Sequence, residues 1–172
     1  MNEARIISGM ATTNAVDRSG DVIDPLGAKF KTPFPLLLQH DHSTPIGTVT
    51  RVQRMSHGLL ATAELVPPGV SEEADKAWGL IQAGALRGLS IGFRPLELSE
   101  GKTGINYDAS EIYELSVVTV PCNADCYVIA HNTEAKAVRK RATEKPSGMT
   151  QVDVSPTAPS RTLKPFFHPN LY

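Results

Sequence analysis

Arg87-Gly88-Leu89-Ser90-Ile91-Gly92-Phe93 sets the reading of this chain. Leu89, Ile91 and Phe93 alternate with Ser90 and Gly92, the period of a strand, so the serine falls on the face opposite the large side chains. Glycines at 88 and 92 are expected to leave open space above the Ser90 hydroxyl, room for a close backbone approach. A buried serine bonded to a neighbouring carbonyl is the plainer reading of such a stretch. Two further segments bear on the choice: Leu36-Leu37-Leu38-Gln39-His40-Asp41-His42 and Glu111-Ile112-Tyr113-Glu114-Leu115-Ser116-Val117-Val118.

Working outward, β signals dominate. Residues 4–12 read as a first strand, and 14–27 as a long polar loop expected to form a rim or lid. Pro33 to His40 is too short and too proline-flanked for a helix, and reads as a strand ending near His40. Asp41 to Pro45 reads as a turn. Ile46–Val52 and Leu59–Leu65, joined through His57-Gly58, read as an antiparallel hairpin. Pro67-Pro68-Gly69 stops that hairpin. Ser71 can then cap a helix of about 12 to 14 residues with Glu72, Glu73 and Asp75 in its first turn. Val70, Ala74, Ala77, Trp78 and Ile81 form its apolar stripe, and Gly84 suits its C-terminal stop. After the serine strand come a polar turn at 99–103, a β-rich run from Ser110 to Val120, and a short strand at 127–130. Six or seven short strands with one clear helix predict a mainly β, α+β domain over 1–131, an antiparallel barrel or sandwich.

Residues 132–172 differ. The segment carries roughly +4 against roughly −5 for the remainder. A weak basic helix is expected at 134–143, and a Pro/Ser/Thr-rich disordered stretch at 145–164. Phe166, Phe167 and Tyr172 end it as an aromatic cluster suited to docking. The chain has no apolar run long enough for a transmembrane helix and no signal-peptide layout at its start. Cys122 and Cys126 are too few for a disulfide framework and lack zinc-site spacing, so free thiols in a cytoplasmic setting are expected.

A serine nucleophile needs a base and a group that orients the base. The chain offers Ser90, His40 and Glu114 at or in strands. A carboxylate within an apolar β run, such as Glu114, needs a hydrogen-bonding partner if it is buried. Taken singly, His40 at a turn and Glu114 facing outward are the plainer readings. His42 rivals His40, and Ser116 rivals Ser90 but lacks flanking glycines. His57 and His131 read as surface residues. These residue types are compatible with a hydrolase and identify no reaction.

Three blocks carry a resemblance. Leu36–Asp41 with Pro45-Ile46-Gly47, Ala83–Phe93, and Glu114–Ala124 resemble, in order and spacing, the histidine, nucleophile and third blocks of the tailed-bacteriophage prohead serine proteases, which share their fold with the herpesvirus assemblins. The resemblance spans residues 4 to 130. It implies a closed, mostly antiparallel barrel flanked by helices, with Ser90 as nucleophile, His40 as general base and Glu114 as the orienting third member. It implies cleavage of scaffold and capsid-precursor segments inside the assembling prohead, in the host cytoplasm, together with self-cleavage. A homodimer or higher homo-oligomer is expected; no membrane, nucleic-acid, cofactor or metal partner is. The assemblins place an arginine after the third block, whereas Pro121–Asp125 here has none. Backbone N–H groups at Cys122 and Asn123 are the expected oxyanion donors instead. The rival readings are a capsid or scaffold component that keeps the fold without chemistry, and a metal enzyme built on His40 and His42 with Asp41 or Glu64.

Overall fold

The computed structural model describes residues 4–132. The expectations for the basic segment beyond them lie outside the described residues. Nine strands and one helix follow in order: β1 (Ile6–Thr13), β2 (Val22–Ile23), β3 (Ala28–Phe30), β4 (Phe34–Leu38), β5 (Asp41–Arg54), β6 (Gly58–Leu65), α1 (Glu72–Gln82), β7 (Gly88–Glu100), β8 (Ile105–Val118) and β9 (Val128–His131). The mainly β prediction holds. The count of six or seven strands is corrected to nine, because β2 and β3 are too short to show a period. The flanking helices reduce, among the described residues, to α1.

All nine strands belong to one sheet, with the path β2-β8-β4-β5-β6-β1-β9 and with β3 and β7 also paired to β8. β1–β6, β1–β9, β4–β5, β5–β6 and β7–β8 are antiparallel; β2, β3 and β4 run parallel to β8. Regular pairing leaves the sheet open, so it does not give the closed barrel expected. Between β7 and β1 runs the lead-in to β9: the Leu89 N–H donates to Cys126 O, Val128 N–H to Arg87 O, and Met10 N–H to Tyr127 O.

The core is a continuous cluster that includes Ile7, Leu36, Ile46, Val49, Leu59, Leu89, Leu115 and Val117. Helix α1 seals one side with Ala74, Ala77, Trp78 and Ile81. Val70, assigned to the same stripe, lies before the helix and is exposed. The ends of α1 are as the sequence requires. Ser71 Oγ accepts the Ala74 N–H at 3.2 Å, satisfying a donor that the first turn leaves free. At the other end Gly84 adopts φ +72°, Ala85 N–H reaches Leu80 O and Gly84 N–H reaches Ile81 O. That pair of bonds is the Schellman closure, which needs a left-handed residue.

Two boundaries move. β7 runs on to Glu100 and β8 begins at Ile105, so the serine strand and its partner form a longer hairpin than expected. The turn assigned to Asp41–Pro45 lies two residues earlier. Leu38 pairs with Asp41, so Gln39-His40 is a two-residue hairpin loop. Both residues have positive φ, 56° and 58°, as in a type I′ turn. Asp41 to Thr44 is assigned to β5, but the register slips between Leu37 and Leu38, so this stretch bulges from the ladder.

Candidate active site

β8 lies between the strand carrying Ser90 and the strand leading to His40. Ser90 pairs with Ser116 and Gly92 with Glu114 across the β7–β8 ladder. Residues directly opposite in an antiparallel pair share a face, so all four lie on one side of the sheet. On the far edge of β8, Leu37 pairs with Ser116 and Leu38 with Val117, which brings the Gln39-His40 turn to the same place.

His40 Nδ1 lies 2.7 Å from Glu114 Oε1. An ionised carboxylate only accepts, so Nδ1 carries the proton and Nε2 is left as the basic nitrogen. Glu114 is 3 % exposed and the His40 side chain 26 %. The outward-facing reading of Glu114 is therefore wrong: its second oxygen accepts the Ser116 hydroxyl at 2.9 Å, and the buried carboxylate is supplied with donors on both oxygens. Ser116 Oγ in turn accepts the backbone N–H of His40 at 3.0 Å.

Gly92 borders open space beside Ser90, as expected, and both glycines also make room for neighbouring groups. A Cβ at Gly92 would sit 2.6 Å from Cγ and 2.7 Å from Cδ of Glu114, so Gly92 makes room for the carboxylate. A Cβ at Gly88 would meet Val118 O at 2.6 Å and Pro121 Cδ at 2.8 Å, so Gly88 permits close packing of the chain that follows β8.

His40, Ser90 and Glu114 all line one cavity of about 530 Å³. Asp17, Tyr107, Cys122 and Asn123 are also in its walls. The 14–27 loop is thus a rim, as expected, and its structure is held by its own acids. Asp17 Oδ1 accepts the N–H groups of Ser19 and Asp21 at 2.8 and 3.0 Å. Asp21 Oδ1 accepts the Ile105 N–H at 2.8 Å, fastening the loop to the β7–β8 hairpin. Burial and the neighbouring Asp21 and Asp17 charges push the Tyr107 phenol up to about 12. Burial raises the Cys122 thiol, and the Asp17 carboxylate adds to the effect.

The loop after β8 lacks its own arginine, yet one is delivered to it from the rim. Arg18 Nη1 donates to Pro121 O and Cys122 O, and the Arg18 backbone N–H donates to Cys122 O at 3.0 Å. The Asn123 side chain donates to Thr13 Oγ1 at 2.9 Å, fixing the other end of the loop to β1. The sequence held no signal for this contact, since Arg18 and Cys122 are 104 residues apart.

Of the rival residues, His42 also borders the cavity and Ser116 does not. His42 is exposed and meets the edge of Tyr113, with ring centroids 6.5 Å apart. Among the described residues no three His, Cys, Asp or Glu side chains group as metal ligands. Ser116 is fully buried with its proton committed to Glu114 and does not line the cavity, whereas Ser90 does. His57 is exposed as expected; His131 is half-buried and packs edge-on against Trp78 at 6.0 Å. Cys122 and Cys126 are free thiols.

Comparison with known proteins bears on the fold and the family. The protease of Kaposi's sarcoma herpesvirus, solved with a hexapeptide phosphonate inhibitor, superposes with a TM-score of 0.58 at 16 % identity, over 81 % of this chain and 69 % of that one. The varicella-zoster virus protease gives 0.52 at 11 % identity, over 83 % and 77 %. At such identities the likeness concerns the fold. Closer in sequence are a capsid polyprotein of Pseudomonas phage PAJU2, 40 % identical over 133 residues, and a prohead protease of Escherichia phage T5, 38 % identical over 130. These matches take in 74 % and 69 % of this chain but 20 % and 59 % of the relatives, so the chain spans only part of each relative's length. The model of the caudovirus prohead serine proteases matches residues 9–141, most of the chain, and the chain belongs to that family.

Proposed function

We propose that this chain is a serine endopeptidase in which Ser90 is the nucleophile, His40 the general base and Glu114 the residue that orients the base. The observation that carries the reading is the 2.7 Å bond between His40 Nδ1 and the buried Glu114, in the wall of the cavity that Ser90 also lines. With Nδ1–H held by the carboxylate, Nε2 takes the Ser90 proton as Oγ attacks a peptide carbonyl. The imidazolium then protonates the leaving amine, and water, deprotonated by the same nitrogen, releases the acyl group from Ser90. Glu114 stabilises the positive ring in both steps. The N–H groups of Cys122 and Asn123 serve the oxyanion, and Arg18 holds the loop that bears them.

The substrates are scaffold and capsid-precursor segments, in keeping with relatives called a capsid polyprotein and a prohead protease. The setting is the assembling head in the host cytoplasm. Residues 1–131 form the protease domain and 132–172 a basic tail open to self-cleavage. A homodimer is part of the proposal; a herpesvirus protease of the same fold has been solved with a dimer disruptor. Closure of the sheet into a barrel is too, through the bonds made by residues 126–128.

The test is labelling by a serine-reactive fluorophosphonate, together with co-expression alongside the matching capsid precursor and mass mapping of the fragments. Ser90→Ala and His40→Ala are expected to abolish both signals with the fold intact, and Glu114→Gln to leave a weak residue of each. Normal cleavage by Ser90→Ala would overturn the assignment.

A further inference from the structure

Gln39 and His40 both occupy left-handed backbone, which is uncommon for residues other than glycine. Such a conformation persists where the surroundings over-determine it. Here those surroundings belong to one strand and its continuation. The Gln39 N–H donates to Val117 O at 3.0 Å, and the His40 N–H to Ser116 Oγ at 3.0 Å. The Gln39 amide forks onto Thr119: Nε2 donates to Thr119 Oγ1 at 2.6 Å, and Oε1 accepts the Thr119 N–H at 3.2 Å. Ser116 completes the set by donating to Glu114 Oε2 at 2.9 Å. One hydroxyl therefore ties the backbone of His40 to the carboxylate that grips its ring.

We propose that Ser116 and Thr119 are positioning residues for the base: they fix the Gln39-His40 turn so that the imidazole meets Glu114 in a single orientation. The inference rests on the reading of His40 as base. Ser116 acts from inside the sheet, where it is fully buried. Thr119 acts from the exposed side, through a side chain that bonds to Gln39. Both effects reach the reaction through ring placement, for which small displacements lower rates steeply.

The experiment compares wild type, Ser116→Ala, Thr119→Val and Ser90→Ala in the full chain. Two signals are read: the second-order rate of fluorophosphonate labelling, and the far-downfield proton resonance of the His40 Nδ1–H, assigned by its loss in His40→Ala. Ser116→Ala is expected to slow labelling by roughly tenfold or more, about 1.4 kcal/mol in barrier, and to broaden or abolish the resonance. Thr119→Val, exposed and equal in shape, is expected to fold normally, slow labelling severalfold and shift the resonance. If Ser116→Ala fails to fold, Thr119→Val decides the matter. Wild-type rate and resonance in Thr119→Val, or in a folded Ser116→Ala, overturn the proposal. Persistent labelling of Ser90→Ala is a separate result that defeats the reading of the site itself.

Discussion

At the scale of single residues, the site depends on who occupies the space beside a glycine. Gly92 has no side chain because the Glu114 carboxylate is there. Gly92→Ala is expected to displace Glu114 from His40. Probe labelling should fall by about ten- to a hundredfold, and overpacking should cost roughly 1–3 kcal/mol of stability in a urea titration. Unchanged labelling would mean the carboxylate has another way to reach His40. The two cysteines make a second case. Burial pushes the Cys126 thiol up to about 12 and raises Cys122 above the usual range. Raised values keep both thiols protonated near neutrality, and Cys126 has 1 % exposure. A maleimide at about pH 8 is expected to modify Cys122 slowly and Cys126 only after denaturation, with reactivity rising as pH rises, because the thiolate is the nucleophile. Mass spectrometry counts the adducts; two in the native protein would contradict the buried placement. The residue types at 40, 90 and 114 were legible in the sequence. The reason for Gly92 was not, since it lies in a neighbour one strand away.

At the scale of elements, local chemistry and tertiary register divide the credit. Helix α1 was legible because its signals are all local: Ser71, the acidic first turn, the apolar spacing and Gly84. Its cap can be tested apart from the site. Ser71→Ala is expected to lower stability by about 1 kcal/mol and leave probe labelling at the wild-type rate. A drop in labelling would mean that α1 couples to the cavity. The Gln39-His40 turn shows the opposite. Type I′ loops favour Asn and Gly, and neither is present, so no local signal marks the turn and the more polar Asp41–Pro45 drew the assignment. The turn exists because Ser116, Val117 and Thr119 hold it. β2 and β3 escaped for a related reason: strands of two and three residues are defined by their partner β8, not by their own pattern.

At the scale of the molecule, β8 pairs with four other strands along its length and is the spine on which the cavity is built. The rim loop closes over it from one side, through Asp21 to Ile105 and through Arg18 to the segment after β8. Strands β1 to β9 build one sheet, one principal core cluster and the cavity. A chain ending at Asn132 is therefore expected to unfold cooperatively, close to the full chain's midpoint, and to label with the probe at a similar rate. Loss of the transition on truncation would make the basic segment part of the folded unit.

The sequence by itself determined a mainly β domain, the capped helix and the β5–β6 hairpin. Each of these is written in neighbours a few positions apart, through periodicity, capping and turn chemistry. Only the tertiary structure decided that Glu114 is buried, that Ser116 bonds rather than reacts, and that Arg18 supports a loop 103 residues away. Those outcomes follow from strand register. A shift of one residue turns every side chain to the other face, and register is fixed by the whole sheet at once.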